Sequence, residues 1–336
     1  MTFENNINKI NIIIIIFCFF YIEYLNKKIK NFESNHINNE NTIDKDELLK
    51  TCINSRKLIY AKIRKVNESN LVTIQNKLNY LIVHESPDYK SKLVDKILLH
   101  DYSIKKLGKD ICVPIIKIYN NTDEIKKEDL PDKFVLKCNH GSAMNIICEN
   151  KTSFDFKKAK YNLNKWKNIN YGLKTNEFQY LNIDRKIFSE KFIKENIEDY
   201  KIYCFHGIPK FIRVQKRIPG IKGKINNYYD LNWTLTDIET GLNGYFRRPD
   251  IIFERPKNFE LMLEYSKKLA EDFVFVRVDL YNVNGIIYLG EMTFCPSNNG
   301  FRLKDIQQSI KLGQLIDVKK KKKNLFNYFF QMKKNI

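Results

Sequence analysis

The sequence predicts an α+β fold in which most strands pair with antiparallel neighbours. The stretch from Phe273 to Pro296 predicts two strands joined at Asn284-Gly285, which is a strong hairpin signal. A second hairpin is expected from Tyr200–Phe205 and Lys210–Gln215. The amphipathic pattern from Pro256 to Asp272 predicts a helix that leads into the first hairpin. Helices alternating with hairpins are typical of α+β proteins.

The loop of the first hairpin decides which side chains share a face. A two-residue loop at Asn284-Gly285 would place Glu291 among Val276 and Val278, where an unpaired carboxylate is costly. We therefore expect a three-residue loop, Val283 to Gly285, with a bulge at Gly285. The apolar face would then carry Val274, Val276, Val278, Leu280, Ile286, Tyr288, Met292 and Phe294. The opposite face would carry Arg277, Asp279, Glu291 and Thr293.

Two carboxylates on neighbouring strands repel each other, so a positive charge must offset them. A divalent cation is one candidate, because Mg²⁺ takes carboxylate oxygens together with water and substrate phosphates. The other candidate is Arg277, which would neutralise Asp279 and Glu291 as a purely structural cluster. The hairpin alone leaves both interpretations open.

A phosphate-binding loop is expected earlier in the chain. The elements that lead to it are a helix and two strands: Ser91–Leu107, Cys112–Tyr119 and Phe134–Cys138. Lys137 lies at the end of the last strand, and a loop with Gly141 and Ser142 follows it. Such strand-to-loop junctions often meet phosphates through backbone N–H groups. A plain turn beside a solvated lysine is the alternative.

Composition excludes some classes of protein. The 336 residues can hold two ordinary domains or one composite fold. The net charge of +19 comes from lysines spread over the whole length, and no nucleic-acid motif accompanies them, so we expect no nucleic-acid partner. The seven cysteines contain no C-x-x-C pair, which favours reduced thiols in the cytoplasm over disulfides or a zinc site.

The two ends of the chain differ in composition from its middle. Residues 10–22 are apolar apart from Asn11, yet thirteen residues are short for a spanning helix, which needs about 20. We interpret them as a membrane-associating segment, so that a cytoplasmic protein would make peripheral membrane contact. At the other end, the lysine run 319–323 precedes an aromatic stretch, as in tails that adhere to anionic membranes or stay solvated.

The order of the chemically informative residues resembles the ATP-grasp superfamily. That order is Asp95-Lys96, Lys137 with its loop, Ser189 to Ile193, Asp199 to Lys201, Arg277-x-Asp279 and Glu291-x-Thr293-x-x-Pro296. The segments FVLKCNHGS, DYKIYCFHG, RVDLYNVNG and GEMTF resemble those of the TupA-like branch, which acts in teichuronopeptide synthesis. The resemblance covers roughly residues 88 to 305.

This resemblance implies two α+β subdomains that clasp ATP and Mg²⁺ in a cleft between mostly antiparallel sheets. The lid subdomain would span about 131–188 and the C-terminal subdomain about 189–305. Residues 1–87 would be an N-terminal extension, and residues 306–336 a basic and aromatic tail.

The resemblance also implies roles for single residues. Lys137 would contact the α- and β-phosphates, the connector from Glu190 to Ile193 would receive adenine, and Asp199 would hold ribose. The loop that closes over the triphosphate would consist of His140, Gly141 and Ser142. The Mg²⁺ ligands would be Asp279, Glu291 and Thr293. The groups that steady the transferred phosphoryl group or an acidic substrate would be Arg277, Lys201 and Arg213.

Two positions depart from the family pattern. His100 stands where such proteins usually have an arginine or lysine for phosphate, and Ala143 replaces the second loop glycine. A histidine is largely neutral at pH 7 unless an anion holds its proton. The departures predict weaker ATP binding at these two positions.

The resemblance implies an ATP-dependent carboxylate–amine ligase that acts through an acyl phosphate in the synthesis of a cell-surface polymer. Its partners would be a nucleotide and an acidic sugar or amino acid. Two alternatives stay open. One is a glycosyltransferase that uses a nucleotide sugar, and the other is a binding protein that retains the fold without catalysis.

Overall fold

The computed structural model describes residues 24, 45–85, 88–194, 197–241, 244–296 and 303–320. These residues divide into two compact units. One unit holds the residues up to Leu71 together with Asn79–Glu85, and the other holds Val72–Leu78 and the residues from 88 onward. Segment 10–22 and most of the lysine-rich tail lie outside the described residues. Across the described ranges, no helix has the length and apolarity needed to cross a bilayer. The boundaries at 87 and 305 stay predictions.

The helices, numbered α1 to α8 along the chain, are Lys45–Ile63, Ile74–His84, Asp88–Val94, Leu99–Leu107, Phe156–Lys167, Tyr171–Thr175, Phe259–Ala270 and Ile306–Gly313. The strands, numbered β1 to β10, are Ile115–Tyr119, Phe134–Cys138, Asn145–Cys148, Ile187–Lys191, Asp199–Phe205, Ile208–Lys216, Lys224–Tyr229, Tyr245–Phe246, Phe275–Val283 and Ile286–Thr293. In the smaller unit, the Tyr60 hydroxyl of α1 donates to Asn79 Oδ1 over 2.8 Å.

The larger unit contains two sheets, and its predicted α+β class is confirmed. The four-stranded sheet has the order β1-β4-β2-β3 and is antiparallel throughout. Its core side packs on α5, around buried residues such as Phe134, Leu136 and Leu163. The six-stranded sheet has the order β10-β9-β5-β6-β7-β8, with a parallel pair only at β7 and β8. Helix α7 packs on one face of this sheet and leaves the other to polar side chains.

The helix predicted from Ser91 to Leu107 is broken into α3 and α4. The carboxylate of Asp95 causes the break, because its Oδ1 accepts the backbone N–H groups of Ile97 and Leu98 at 2.9 and 3.4 Å. The corner between the helices therefore holds Lys96 outside any helix. The predicted end of the helix is confirmed, since Gly108 takes the left-handed conformation with φ 74°.

The first hairpin has a different loop from the one expected. Val283 pairs with Ile286, so the loop is the two residues Asn284 and Gly285, with φ values of 52° and 80°. Both values are positive, as a type I′ turn requires. The predicted three-residue loop with a bulge at Gly285 is therefore wrong.

A bulge further along β10 restores the expected pairing. The register shifts between Leu289 and Glu291, so that Glu291 lies directly opposite Asp279. A side chain at Gly290 would meet the ring of Tyr281 at 2.8 Å, which explains the glycine there. The two acids share a face, as the sequence predicted, although the bulge lies elsewhere.

The position of the bulge also changes two face assignments. Ile286 and Tyr288 pair with Val283 and Tyr281, and therefore lie on the polar face instead of the apolar one. The apolar places next to Leu280 belong to Ile287 and Leu289, which are 7% and 2% exposed.

Candidate active site

A row of polar side chains crosses the face of the six-stranded sheet opposite α7. Directly paired in that row are Glu291, Asp279, Lys201, Arg213 and Tyr228, one from each of five neighbouring strands. Side chains paired in this way lie within about 5 Å of one another at Cβ. The sheet therefore brings two acids and two cations together from parts of the chain that are far apart in sequence.

Asp279 is the centre of a buried ion-pair network. Its Oδ1 lies 2.6 Å from Arg277 Nε, and its Oδ2 lies 2.6 Å from Arg277 Nη2 and 2.7 Å from Lys201 Nζ. Burial opposes ionisation of Asp279, but the charges of Arg277 and Lys201 outweigh it and lower the pKa of the carboxyl. Asp279 is therefore an anion held by two cations.

Glu291 is less constrained than Asp279. It is half-buried, and its Oε1 accepts a hydrogen bond from the Tyr180 hydroxyl over 3.2 Å. Nearby, burial and then the charge of Glu291 raise the pKa of Glu177 to about 8. Glu177 is therefore mainly protonated at pH 7.

The residues fit Mg²⁺. Asp279, Glu291 and Thr293 offer two carboxylates and a hydroxyl, which form the all-oxygen donor set of a hard cation. Thr293 lies on the same strand face, where its Oγ1 accepts Arg277 Nη2 at 3.0 Å. The charge of Glu291 also raises the pKa of Glu177, an acid–acid interaction that a cation would relieve.

The four-stranded sheet contributes the predicted pair of Lys137 and Glu190. The two side chains form an ion pair on one face of β2 and β4, and both are largely shielded from solvent. In this state Lys137 is held by Glu190, so a phosphate has to replace that carboxylate.

Lys96 belongs to the candidate site, although the sequence analysis quoted it without assigning it a role. Its Nζ donates to the carbonyl of Gly141 over 2.7 Å. Burial lowers the pKa of Lys96, the charge of Glu291 raises it and the charge of Lys137 lowers it again. Lys96 is therefore within electrostatic reach of Lys137 on one sheet and of Glu291 on the other. The available signal was Asp95, a helix-breaking residue directly before a lysine.

The loop after β2 agrees only in part with its predicted role. Ser142 is exposed, while His140 is 1% exposed and its Nε2 lies 3.2 Å from the carbonyl of Trp166. Burial lowers the pKa of His140 to about 4, so the ring is neutral. A side chain at Gly141 would meet Met144 and Tyr171 within 2.9 Å. In this structure the His140 ring packs inward, and its predicted role over the triphosphate stays a prediction.

His100 is engaged by Asp110 in this structure. Its Nδ1 lies 2.7 Å from Asp110 Oδ2, which holds the imidazole in place. Its contact with phosphate stays a prediction, and Lys96, four residues earlier in the chain, is a second candidate for that contact.

The remaining predicted residues lie on β5, on β6 and just after β4. Asp199 begins β5, with its Oδ2 2.5 Å from Lys201 Nζ and its Oδ1 buried without a hydrogen-bond partner. Ile193 is half-buried just after β4. Arg213 is 4% exposed, and its Nε likewise lacks a partner. Such orphaned buried groups are costly unless a ligand or water completes them.

Comparison with known proteins gives one family and several distant structural neighbours. The family model described as TupA-like ATPgrasp matches residues 73–317. No curated protein matches the chain significantly.

Solved structures that match the chain include three ligase-type enzymes. D-alanine–D-alanine ligase from Bacillus anthracis, complexed with ATP, has 16% identity and a TM-score of 0.34, and the match covers 60% of this chain and 53% of that one. L-amino acid ligase from Bacillus licheniformis has 11% identity and a TM-score of 0.39, with 61% and 44% covered. N5-carboxyaminoimidazole synthetase from Staphylococcus aureus, complexed with ADP, has 14% identity and a TM-score of 0.34, with 60% and 44% covered.

The chain spans about half the length of these solved relatives. Their likeness is too distant to carry an argument about this site. The family model is different, because it matches well over half of the chain and extends over both sheets and the residues that join them. On that match, the chain belongs to the TupA-like ATPgrasp family.

Proposed function

We propose that the site binds ATP with Mg²⁺ and joins a carboxylate to an amine through an acyl phosphate. The observation that carries the proposal is the direct pairing of Glu291 with Asp279 on one sheet face, with Lys96 within electrostatic reach of Glu291 and of Lys137. Lys96 and Lys137 would bind phosphate, and Glu291 and Asp279 would bind the metal. The family assignment supports this ATP-dependent ligase over a glycosyltransferase.

The residues of the six-stranded sheet would hold the metal and the transferred group. Glu291 and Asp279 would ligate Mg²⁺ with help from Thr293, and the ion would neutralise the phosphate oxygens. Arg277, already oriented by Asp279, would stabilise the charge that develops on the phosphoryl group. This division explains why one acid is fully paired while the other keeps an oxygen available.

The cations facing that sheet would position the triphosphate. Lys137 would exchange Glu190 for phosphate oxygens, and Lys96 would exchange the Gly141 carbonyl. Both exchanges replace one internal partner by a more highly charged one, which favours the bound state. Glu190 would then be released beside the connector to Ile193, where adenine is expected.

The second substrate would bind toward β5 and β6. Lys201 and Arg213 extend the cationic row away from the metal acids, and Arg213 Nε has no partner of its own. This arrangement suits an acidic sugar or amino acid. We propose a cell-surface polymer of the teichuronopeptide type as the product, on the strength of the TupA-like family.

Release of ADP tests the proposal directly. Full-length protein should release ADP only when Mg²⁺, a carboxylate and an amine are all present. Glu291→Gln should lose that release, while Glu264→Gln, in an exposed helical ion pair with Lys268, should keep it. A wild-type protein that neither binds ATP nor forms ADP with any acidic sugar or amino acid would contradict the ligase. Binding of ATP without turnover would favour the binding protein.

A further inference from the structure

His100, Asp110 and Cys112 meet where α4 turns into the segment before β1. The Asp110 carboxylate joins the other two, since its Oδ2 lies 2.7 Å from His100 Nδ1 and its Oδ1 accepts the backbone N–H of Cys112 over 2.9 Å. One ligand atom from each of the three residues lies within 4.8 Å of the other two. Among the described residues, this is the one group of three or more His, Cys, Asp or Glu side chains whose ligand atoms are close enough to share a metal ion.

The backbone around these residues is fixed by contacts that need no metal. Gly108 reverses the chain at the end of α4. The Ser103 hydroxyl accepts the N–H of Ile111 at 3.0 Å, and the carbonyl of Ile111 accepts the N–H of Leu289 at 2.7 Å. The three donor side chains are therefore held together in advance, which lowers the cost of binding an ion.

The donor set selects a particular class of ion. Imidazole nitrogen, carboxylate oxygen and thiolate sulfur together suit Zn²⁺ and similar borderline ions, whereas Mg²⁺ prefers oxygen alone. Around a tetrahedral Zn²⁺ with bonds of about 2.0–2.3 Å, adjacent donors lie roughly 3.3–3.8 Å apart. The pair of His100 Nδ1 and Asp110 Oδ2, now 2.7 Å apart, has to open by roughly 0.6 Å to reach that spacing.

We propose that His100, Asp110 and Cys112 bind one Zn²⁺-class ion, with water as the fourth ligand. The Asp110 side chain is 38% exposed, which gives water and the ion a route to the site. The site differs from the proposed nucleotide site in ligand chemistry. The cysteine spacing could not reveal it, because a single cysteine provides the sulfur.

The ion would connect two parts of the fold. Cys112 pairs with Leu289 in β10, the strand that carries Glu291, and His100 belongs to α4. A metal shared by these residues would therefore stabilise the segment that joins the helices to the six-stranded sheet. Binding of such an ion would add directly to folding stability.

Cobalt spectroscopy tests the proposal. Tag-free full-length protein, stripped with a chelator, is titrated with Co²⁺, which replaces zinc and absorbs light. We expect one equivalent to produce tetrahedral d–d bands and a sulfur-to-cobalt charge-transfer band, and one equivalent of Zn²⁺ to abolish both. Millimolar Mg²⁺ should leave them unchanged.

Variants assign the bands to these residues. Cys112→Ser should remove the charge-transfer band, and His100→Gln should weaken Co²⁺ binding by at least about 100-fold. The control is Cys204→Ser, which changes another buried cysteine, one whose pKa is raised by burial alone. If Cys112→Ser does not fold, His100→Gln decides the assignment. A wild-type protein without the charge-transfer band, or a band that survives in Cys112→Ser, would overturn the proposal.

Discussion

The two sheets of the larger unit hold their charged residues in different ways. On the six-stranded sheet, Asp279 is fixed by three short contacts to Arg277 and Lys201, all buried. On the side of the four-stranded sheet, Lys137 has a single carboxylate partner and Lys96 donates to a single loop carbonyl. The charged residues of the six-stranded sheet are therefore held rigidly, whereas Lys137 and Lys96 can exchange their single partners for phosphate.

The largest effect is expected at the metal acids. Glu291→Gln keeps the shape of the side chain but removes a charged oxygen from the proposed Mg²⁺ site, so ADP formation should fall by at least about 100-fold. Thermal unfolding should change little, because Tyr180 can still donate to the amide oxygen. Steady-state kinetics with Mg²⁺ titration measures the first effect, and calorimetry the second.

The same variant also tests whether Glu291 serves the metal or the stability of the six-stranded sheet. If Glu291→Gln lowers stability as strongly as activity, Glu291 serves the fold more than the metal. Glu264→Gln provides the matched control on an exposed helix.

The next effect concerns the exchangeable cations. Lys96→Met should weaken ATP binding about 10- to 100-fold, because a charge-assisted hydrogen bond to phosphate contributes about 1.5–3 kcal/mol. His100→Gln should leave ATP affinity nearly unchanged, since its imidazole is engaged with Asp110. Isothermal titration of both variants measures the difference. Equal losses in both would support the predicted phosphate-binding role of His100.

A smaller effect is expected at the bulge of β10. Gly290→Ala should destabilise the fold by about 1–3 kcal/mol, because the new methyl group would meet the Tyr281 ring at 2.8 Å. Gly241→Ala is the control, since a Cβ there meets nothing within 4 Å. Urea unfolding compares the two. A Gly290→Ala protein as stable as the control would show that the six-stranded sheet tolerates a shift of register.

The smallest effect concerns pH. The pKa of Glu177 is raised to about 8, so its protonated form favours the folded state. The stability from this group is complete at acid pH and is lost as the pH rises toward 8. Glu177→Gln should therefore flatten the decline in stability between about pH 6.5 and 8. This window lies above the range, from about pH 4 to 6.5, in which the titration of His140 changes stability. An unchanged pH profile of unfolding would mean that Glu177 is better solvated than its surroundings imply.

Sequence patterns predicted the strands and their partners well, because hairpin signals and alternation are local. The pair β9 and β10, the pair β5 and β6, and helix α7 all lie within a few residues of their expected bounds. The convergence of Asp279 with Glu291 followed from the alternation of side chains between the two faces of a strand and from the cost of burying a lone carboxylate.

Only the tertiary structure decided how that convergence is achieved and what faces it. The turn signal of Asn284-Gly285 fits a two-residue loop, so the extra residue moved to Gly290, where the ring of Tyr281 leaves no room for a side chain. Lys96 entered the site because Asp95 broke a helix that amphipathic periodicity alone would have continued. Both outcomes depend on contacts between residues distant in sequence, or on a side chain competing for backbone hydrogen bonds, and neither is visible in the local patterns from which a sequence is interpreted.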